Sequence, residues 1–318
     1  MSYTLDKTDM RILYELSKNS RIADTRIAKI IKKSKESVRY RIKKMIDNKI
    51  ILGFNLWTDP SKLGLASAKI YLNLANIPQK KKSLLEFVKK DKRLYWMGIV
   101  EGAWNIGLTY FVKDNEEFFT LKNELVTKFK DLILDVRTAS LVGVYWFQYG
   151  FLFNEKSEPK KIWASPQKNT LDDVSFKILG DLSKNSRENL AEISHNHSVS
   201  VDIIRNRMKM MESKGIIARY TIKINYNKLD LEFYKTFLYF KNLNKNSLSE
   251  LRSYCNSQPN IINLVQQISP WDIELEIMCK NYFEYNSILS ELTEKFSSII
   301  SRTETAILSE DLVKSSLE

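Results

Sequence analysis

The densest run of chemically capable side chains is KKSKESVRYRIKK, residues 32–44. Lysines neutralise phosphates and release condensed counterions, while arginine suits the O6/N7 edge of guanine. On that reading Lys32, Lys33, Lys35 and Lys44 meet phosphates, and Ser37, Arg39, Tyr40 and Lys43 reach base edges. Ser34 caps the helix that presents them. Glu36 accepts from a cytosine amino group or repels phosphate. The competing explanation is a solvated basic helix face, the usual fate of a charge run.

A second run, SVSVDIIRNRMKMM (198–211), offers Ser200 as a cap and Arg205, Asn206 and Lys209 as readers. Here Val201 and Ile203 stand where the first run has Lys35 and Ser37. Such apolar groups read a thymine methyl or turn the helix toward protein.

Other candidates read as structural. His195 and His197 point about 200° apart on a helix, so they cannot share a metal there, and they read as polar surface residues. Cys255 and Cys279 make no disulfide framework and read as small core residues, which suits a reducing compartment. Tyr95, Trp96, Trp104, Tyr145, Trp146, Phe147 and Tyr149 could stack single-stranded bases. Core and a sheet-to-sheet interface explain them better. Lys80–Lys82 open a helix and read as solvated surface. No metal cluster, nucleophile elbow or phosphate loop occurs, so no cofactor is expected.

The elements that position these residues follow from periodicity. The chain has 318 residues, 43% hydrophobic and 28% charged, with net charge +12. That composition excludes a disordered or collagen-like chain, and the basic excess favours a polyanionic partner. The start MSYTLDKTDMRILYEL is charged too early for a signal peptide, and no apolar run reaches about 18 residues. A cytoplasmic, membrane-free protein is expected.

The chain repeats itself at an offset of 166 residues. LDKTDMRILYELSKNSR (5–21) matches LDDVSFKILGDLSKNSR (171–187), and 20 of the 60 positions from 5 to 64 are identical in that register. Two copies at so long a period mean two homologous halves.

Within the first half, Met10, Leu13 and Leu16 predict a helix capped by Asp6 or Thr8, and a second runs near 25–31. A third follows over about 35–47, with Val38, Ile42 and Met45 turned inward. IILGFNLW (50–57) predicts a short strand pair, or wing. After Pro60 the period becomes two. Strands are predicted near 69–76, 95–102, 105–114 and 136–151, and helices near 80–90 and 116–133, the order βαββαβ.

The predicted fold class is therefore α+β: two tandem copies of a winged helix-turn-helix followed by a ferredoxin-like βαββαβ domain. The expected boundaries are 1–58 and 59–153, a linker at 154–170, then 171–224 and 225–318. Charge is uneven across them. Residues 5–58 carry 14 basic and 6 acidic side chains, whereas 225–318 carry 9 and 13. Two thirds of the net excess lies in the segment containing the first basic run.

This succession, opening on Leu5, Asp6, Asp9, Ile12, Leu13 and Leu16 and continuing through Arg21, Ile27, Ala28, Ser34, Val38 and Arg41, resembles the Lrp/AsnC family of transcriptional regulators. The resemblance covers nearly the whole chain, twice, and implies a fused dimer within one chain. It also implies double-stranded DNA as partner, a small effector on the sheet domains, often an amino acid, and further homo-oligomerisation. By the same resemblance Gly102, Asn105 and Asp272 are candidate effector residues. The sequence departs from the family in two places. Lys32-Lys33 and Ser198-Val199 replace the usual glycine-apolar turn. Of the family's Gly and Asp, the 101–105 turn keeps only the glycine and the 268–272 turn only the aspartate.

The expected function is a sequence-specific DNA-binding regulator acting as a pseudo-dimer, not an enzyme. Because the two reading helices differ, an asymmetric site is expected. The alternatives are a siroheme-decarboxylase-like enzyme of the same plan, or an architectural protein with little sequence preference. The enzyme would need histidines in its sheet domains, and neither has one.

Overall fold

In a computed structural model of the chain, residues 4–155, 159–163 and 167–313 are described. Helix α1 (Lys7–Lys18) begins where the Asp6 carboxylate accepts from the Asp9 amide and Asp9 reciprocates, a capping box. Helix α2 (Asp24–Ile31) ends on Lys32 in the left-handed conformation, φ 52°. Helix α3 (Lys35–Asp47) starts at Ser34, whose hydroxyl accepts from the Ser37 amide at 3.1 Å. Val38, Ile42 and Met45 bury its inner stripe.

The strand pair expected at 50–57 is corrected. That segment is a single strand, β1 (Ile51–Thr58), with no reversal of its own. It pairs antiparallel with β7 (Ile217–Ile224) from the other half of the chain. Nothing in 51–58 supplies a hairpin turn, so the strand edge is satisfied by its counterpart instead.

The first sheet unit runs β2 (Ala66–Leu74), α4 (Pro78–Lys90), β3 (Leu94–Gly102), β4 (Ile106–Val112), α5 (Asn115–Lys128) and β5 (Ile133–Trp146). The segment expected as a linker is partly built into the sheet: β6 (Lys160–Ile162) pairs with β5, and Trp163 is buried. The adjacent Ile162 and Trp163 explain this, since both are buried. Helices α6 (Asp173–Lys184), α7 (Leu190–His197) and α8 (Val201–Ser213) precede β7. Then follow β8 (Glu232–Phe240), α9 (Lys245–Ser257), β9 (Ile261–Ile268), β10 (Ile273–Cys279), α10 (Tyr282–Lys295) and β11 (Ile300–Val313).

The left-handed backbone positions recur at the repeat offset. Lys32 and Ser198, Lys49 and Gly215, Gly64 and Asp230 form three such pairs.

Each sheet unit has the strand order of a βαββαβ fold, β5-β2-β4-β3 and β11-β8-β10-β9. The two join edge to edge, because β3 pairs with β11 and β5 with β9. Eight strands thus close on themselves, with helices outside. In β2, Ala68, Ile70 and Leu72 face the helices, whereas Lys69 and Tyr71 face the lumen. In β10, Ile273, Leu275 and Ile277 face helices, and Glu274 points inward to bond with Lys69, Lys235 and Tyr71.

Candidate nucleic-acid interface

Helix α3 turns its basic face outward. Lys32, Lys33, Ser34, Arg39, Tyr40 and Lys43 are exposed; Lys35, Ser37 and Lys44 are half-buried. Tyr40, at 64% exposure, is an aromatic with no core to fill. The Lys44 ammonium lies over its ring, 5.5 Å from the centroid. Arg41, which faces back, ties α3 to α1 through Asp6 and Asp9, each at 2.8 Å.

Arg39 is held by its neighbours. Its Nε meets the Asp24 carboxylate at 3.1 Å, and the other oxygen of Asp24 accepts from Arg187 at 2.9 Å. Asp24 therefore links the first reading helix to the second half of the chain. Burial alone would raise its pKa, but the hydrogen bonds and charges of Arg187 and Arg39 outweigh this and hold it below the ordinary value.

On α8, Ser200, Arg205, Asn206 and Lys209 are likewise exposed, and Ser200 caps the helix by accepting from the Ile203 amide at 3.3 Å. Arg205 is engaged locally with Asp202. Ile203 is 43% exposed, an apolar group on the outward face. His197 accepts or donates at 2.7 Å to Asp181, while His195 is exposed. Among the described residues no three metal-ligating side chains gather.

The two helix-turn-helix units are locked together by contacts related by the repeat. The Ser20 and Ser186 hydroxyls meet at 2.6 Å, each being the other's equivalent. The Ser20 amide donates to the Tyr220 carbonyl, and the Ser186 amide to the Phe54 carbonyl. Arg21 stacks over Tyr220 and Arg187 over Phe54. Sequence reasoning missed this set. The identical SKNSR segments were its only visible sign.

The candidate effector residues are not gathered in one place. Gly102, at φ 114°, lines a groove with Arg137, Tyr239 and Arg302. Asn105 is spent on the Leu74 amide at 2.7 Å, and Asp272 is an exposed residue outside that groove's lining. Partial desolvation of its carboxyl raises the Asp272 pKa.

A family model for the AsnC-type helix-turn-helix domain matches residues 5–46. An uncharacterized HTH-type transcriptional regulator of Pyrococcus furiosus is 42% identical over 62 residues, which span 20% of this chain and 42% of that protein. A second one from that organism is 29% identical over 149 residues, 47% of this chain and 99% of its own length. Among solved structures, the siroheme decarboxylase NirDL superposes with TM-score 0.65 at 12% identity, covering 97% of this chain and 93% of that one. That likeness is one of fold. No described helix is long and apolar enough to cross a membrane. Residues 5–46 thus match the AsnC-type helix-turn-helix domain, and the chain is similar in sequence to HTH-type transcriptional regulators.

Proposed function

We propose that the chain is a sequence-specific DNA-binding transcriptional regulator, a tandem duplication that acts as a pseudo-dimer within one polypeptide. The observation that carries this reading is the outward basic face of α3, where Lys32, Lys33, Arg39 and Lys43 are exposed. Lys32, Lys33, Lys35 and Lys44 neutralise phosphates, and Ser37, Arg39, Tyr40 and Lys43 meet base edges. The Ser20–Ser186 contact and the β1–β7 ribbon fix the second reading helix relative to the first, so both meet one duplex in a set geometry. Ser200, Arg205, Asn206 and Lys209 read the second half-site. With Ile203 in place of Ser37, that half-site differs from the first.

Selection of bound duplexes from a random pool tests this. An asymmetric consensus is expected, and Arg39→Ala should relax one half of it at a cost of about 1–3 kcal/mol. An unchanged consensus removes Arg39 as a reader; no consensus at all favours the architectural alternative.

The NirDL likeness favours a second reading, tetrapyrrole decarboxylation. Against it, the only two histidines of the chain sit in α7, outside the sheet units. Titration with an iron tetrapyrrole, followed by its visible spectrum, separates the two: tight binding with turnover would displace the regulator.

A further inference from the structure

The Arg39 side chain is 61% exposed, and an arginine so placed ordinarily samples many rotamers. One contact restrains it. Its Nε donates to the Asp24 carboxylate at 3.1 Å. Nε carries one of a guanidinium's five N–H donors, and the two terminal nitrogens carry the rest. Those terminal nitrogens have no hydrogen-bond partner among the described residues. They form a pair that can meet guanine O6 and N7 together.

Asp24 is itself anchored. It opens α2, where the helix dipole favours a carboxylate, and its side chain is 15% exposed. Its second oxygen accepts from Arg187 at 2.9 Å, and the Arg187 guanidinium lies over the Phe54 ring, 5.2 Å from the centroid. The carboxylate is thus a fixed point, buttressed from the other half of the chain.

The repeat does not duplicate this device. At the offset of 166 residues the counterparts of Asp24 and Arg39 are Leu190 and Arg205. A leucine cannot accept a hydrogen bond from an arginine. Arg205 instead gives a terminal nitrogen to Asp202, one turn earlier on its own helix. Both of those side chains are exposed, and such a surface pair fixes little.

We propose that Asp24 is a positioning residue for base reading: it holds Arg39 by Nε and leaves both terminal nitrogens for a guanine, so the half-site met by α3 demands guanine more strictly than the half-site met by α8. This rests on the DNA-binding reading and adds to it which half is strict and why. A guanine contact must immobilise its arginine. Holding that side chain in advance removes a cost equivalent to about 2- to 12-fold in affinity. A mismatched base never makes the two-point contact, so it gains nothing from the arrangement, and the factor appears as selectivity. The charge of Asp24 acts separately, since it repels every duplex alike.

Selection of bound duplexes by the full chain, followed by anisotropy titration of the selected duplex and its single-base variants, tests the proposal. The wild-type consensus should hold a guanine that Arg39→Ala no longer demands. Asp24→Ala should lower the preference for that guanine over the other bases by about 2- to 12-fold, while binding unrelated duplexes more tightly at low salt. Base preferences in the other half of the consensus should not move. An unchanged guanine preference in Asp24→Ala overturns the proposal and leaves the regulator reading standing. So does an equal loss of selectivity in both halves, which a merely structural role would give. A wild type that selects no consensus overturns both. If Asp24→Ala does not fold, the same preference measured in Asp24→Asn decides.

Discussion

Replacing Glu274 by glutamine should be among the most damaging single changes in this chain. Its carboxylate is fully buried in the lumen of the closed sheet and bonds Lys69 at 2.8 Å and Lys235 at 2.7 Å, with the Tyr71 hydroxyl as third donor. Lys235 also meets Glu276. Two ammonium groups thus balance two carboxylates. Glu274→Gln leaves both lysines with Glu276 alone, one uncompensated positive charge in a buried lumen. Breaking a buried pair in this way costs about 3–5 kcal/mol. At about 2–4 °C per kcal/mol for domains of 150–250 residues, the melting temperature should fall by roughly 6–20 °C.

The double variant Lys69→Met with Glu274→Gln removes one charge of each sign and keeps Lys235 paired with Glu276. It should regain more than half of the loss, because whole pairs can be exchanged for apolar groups at little cost. The pH response has a definite sign. Burial acts to raise the Glu274 pKa, but Lys235 and Lys69 outweigh it and hold the carboxylate well below its ordinary range. A depressed value stabilises above the unfolded pKa and is lost only as pH falls through the folded one. The wild-type advantage over Glu274→Gln should therefore persist at pH 5 and shrink only in stronger acid. Unfolding followed by tryptophan fluorescence measures all of this. A single variant within about 1 kcal/mol of wild type, or a double variant no better than the single, would refute the charge-balance argument.

Three further outcomes are expected. Ser20→Ala should cost about 1–3 kcal/mol by stranding the buried Ser186 hydroxyl, while the double change to alanine costs less than either sum predicts; chemical denaturation of the three variants measures it. Lys49→Gly should stabilise by about 0.5–1 kcal/mol in the same assay, since Lys49 holds φ 59° where its repeat partner is Gly215 at φ 71°. Asp24→Asn should lower stability at pH 7, and the loss should shrink as pH falls through the depressed pKa of the Asp24 carboxylate. The Asp24 carboxylate is held below its ordinary 3.8, so its contribution is full above that value and vanishes as acid protonates it. The freed Arg39 should then tighten duplex binding at low salt, read by fluorescence anisotropy.

Local chemistry made much of the fold legible. Asp6, Ser34 and Ser200 announce helix starts because each side chain can satisfy a stranded amide, and each does so. The 3.6-residue stripe of Val38, Ile42 and Met45 placed the outward face of α3 by elimination, so the exposure of Arg39, Tyr40 and Lys43 could be read in advance. Pairings between distant segments could not. IILGFNLW has the composition of a strand but does not name its partner, and the partner is 166 residues away. The role of Asp24 as a link was hidden for the same reason: Arg187 reaches it only after the halves dock.

The segment DIELEIMCK shows where the division falls. Its sequence fixes a strand with isoleucine and leucine on one face and glutamate on the other, and an isolated reading sends the glutamates to water. Only closure of eight strands turns that second face into a lumen, where Glu274 must find Lys69 from one half and Lys235 from the other. Periodicity is a property of neighbours along the chain, and it assigned the helices, the strands and the outward basic face. Which faces are dry, and which charges must balance across them, depends on surfaces brought together from far apart in sequence, and that was decided by tertiary structure alone.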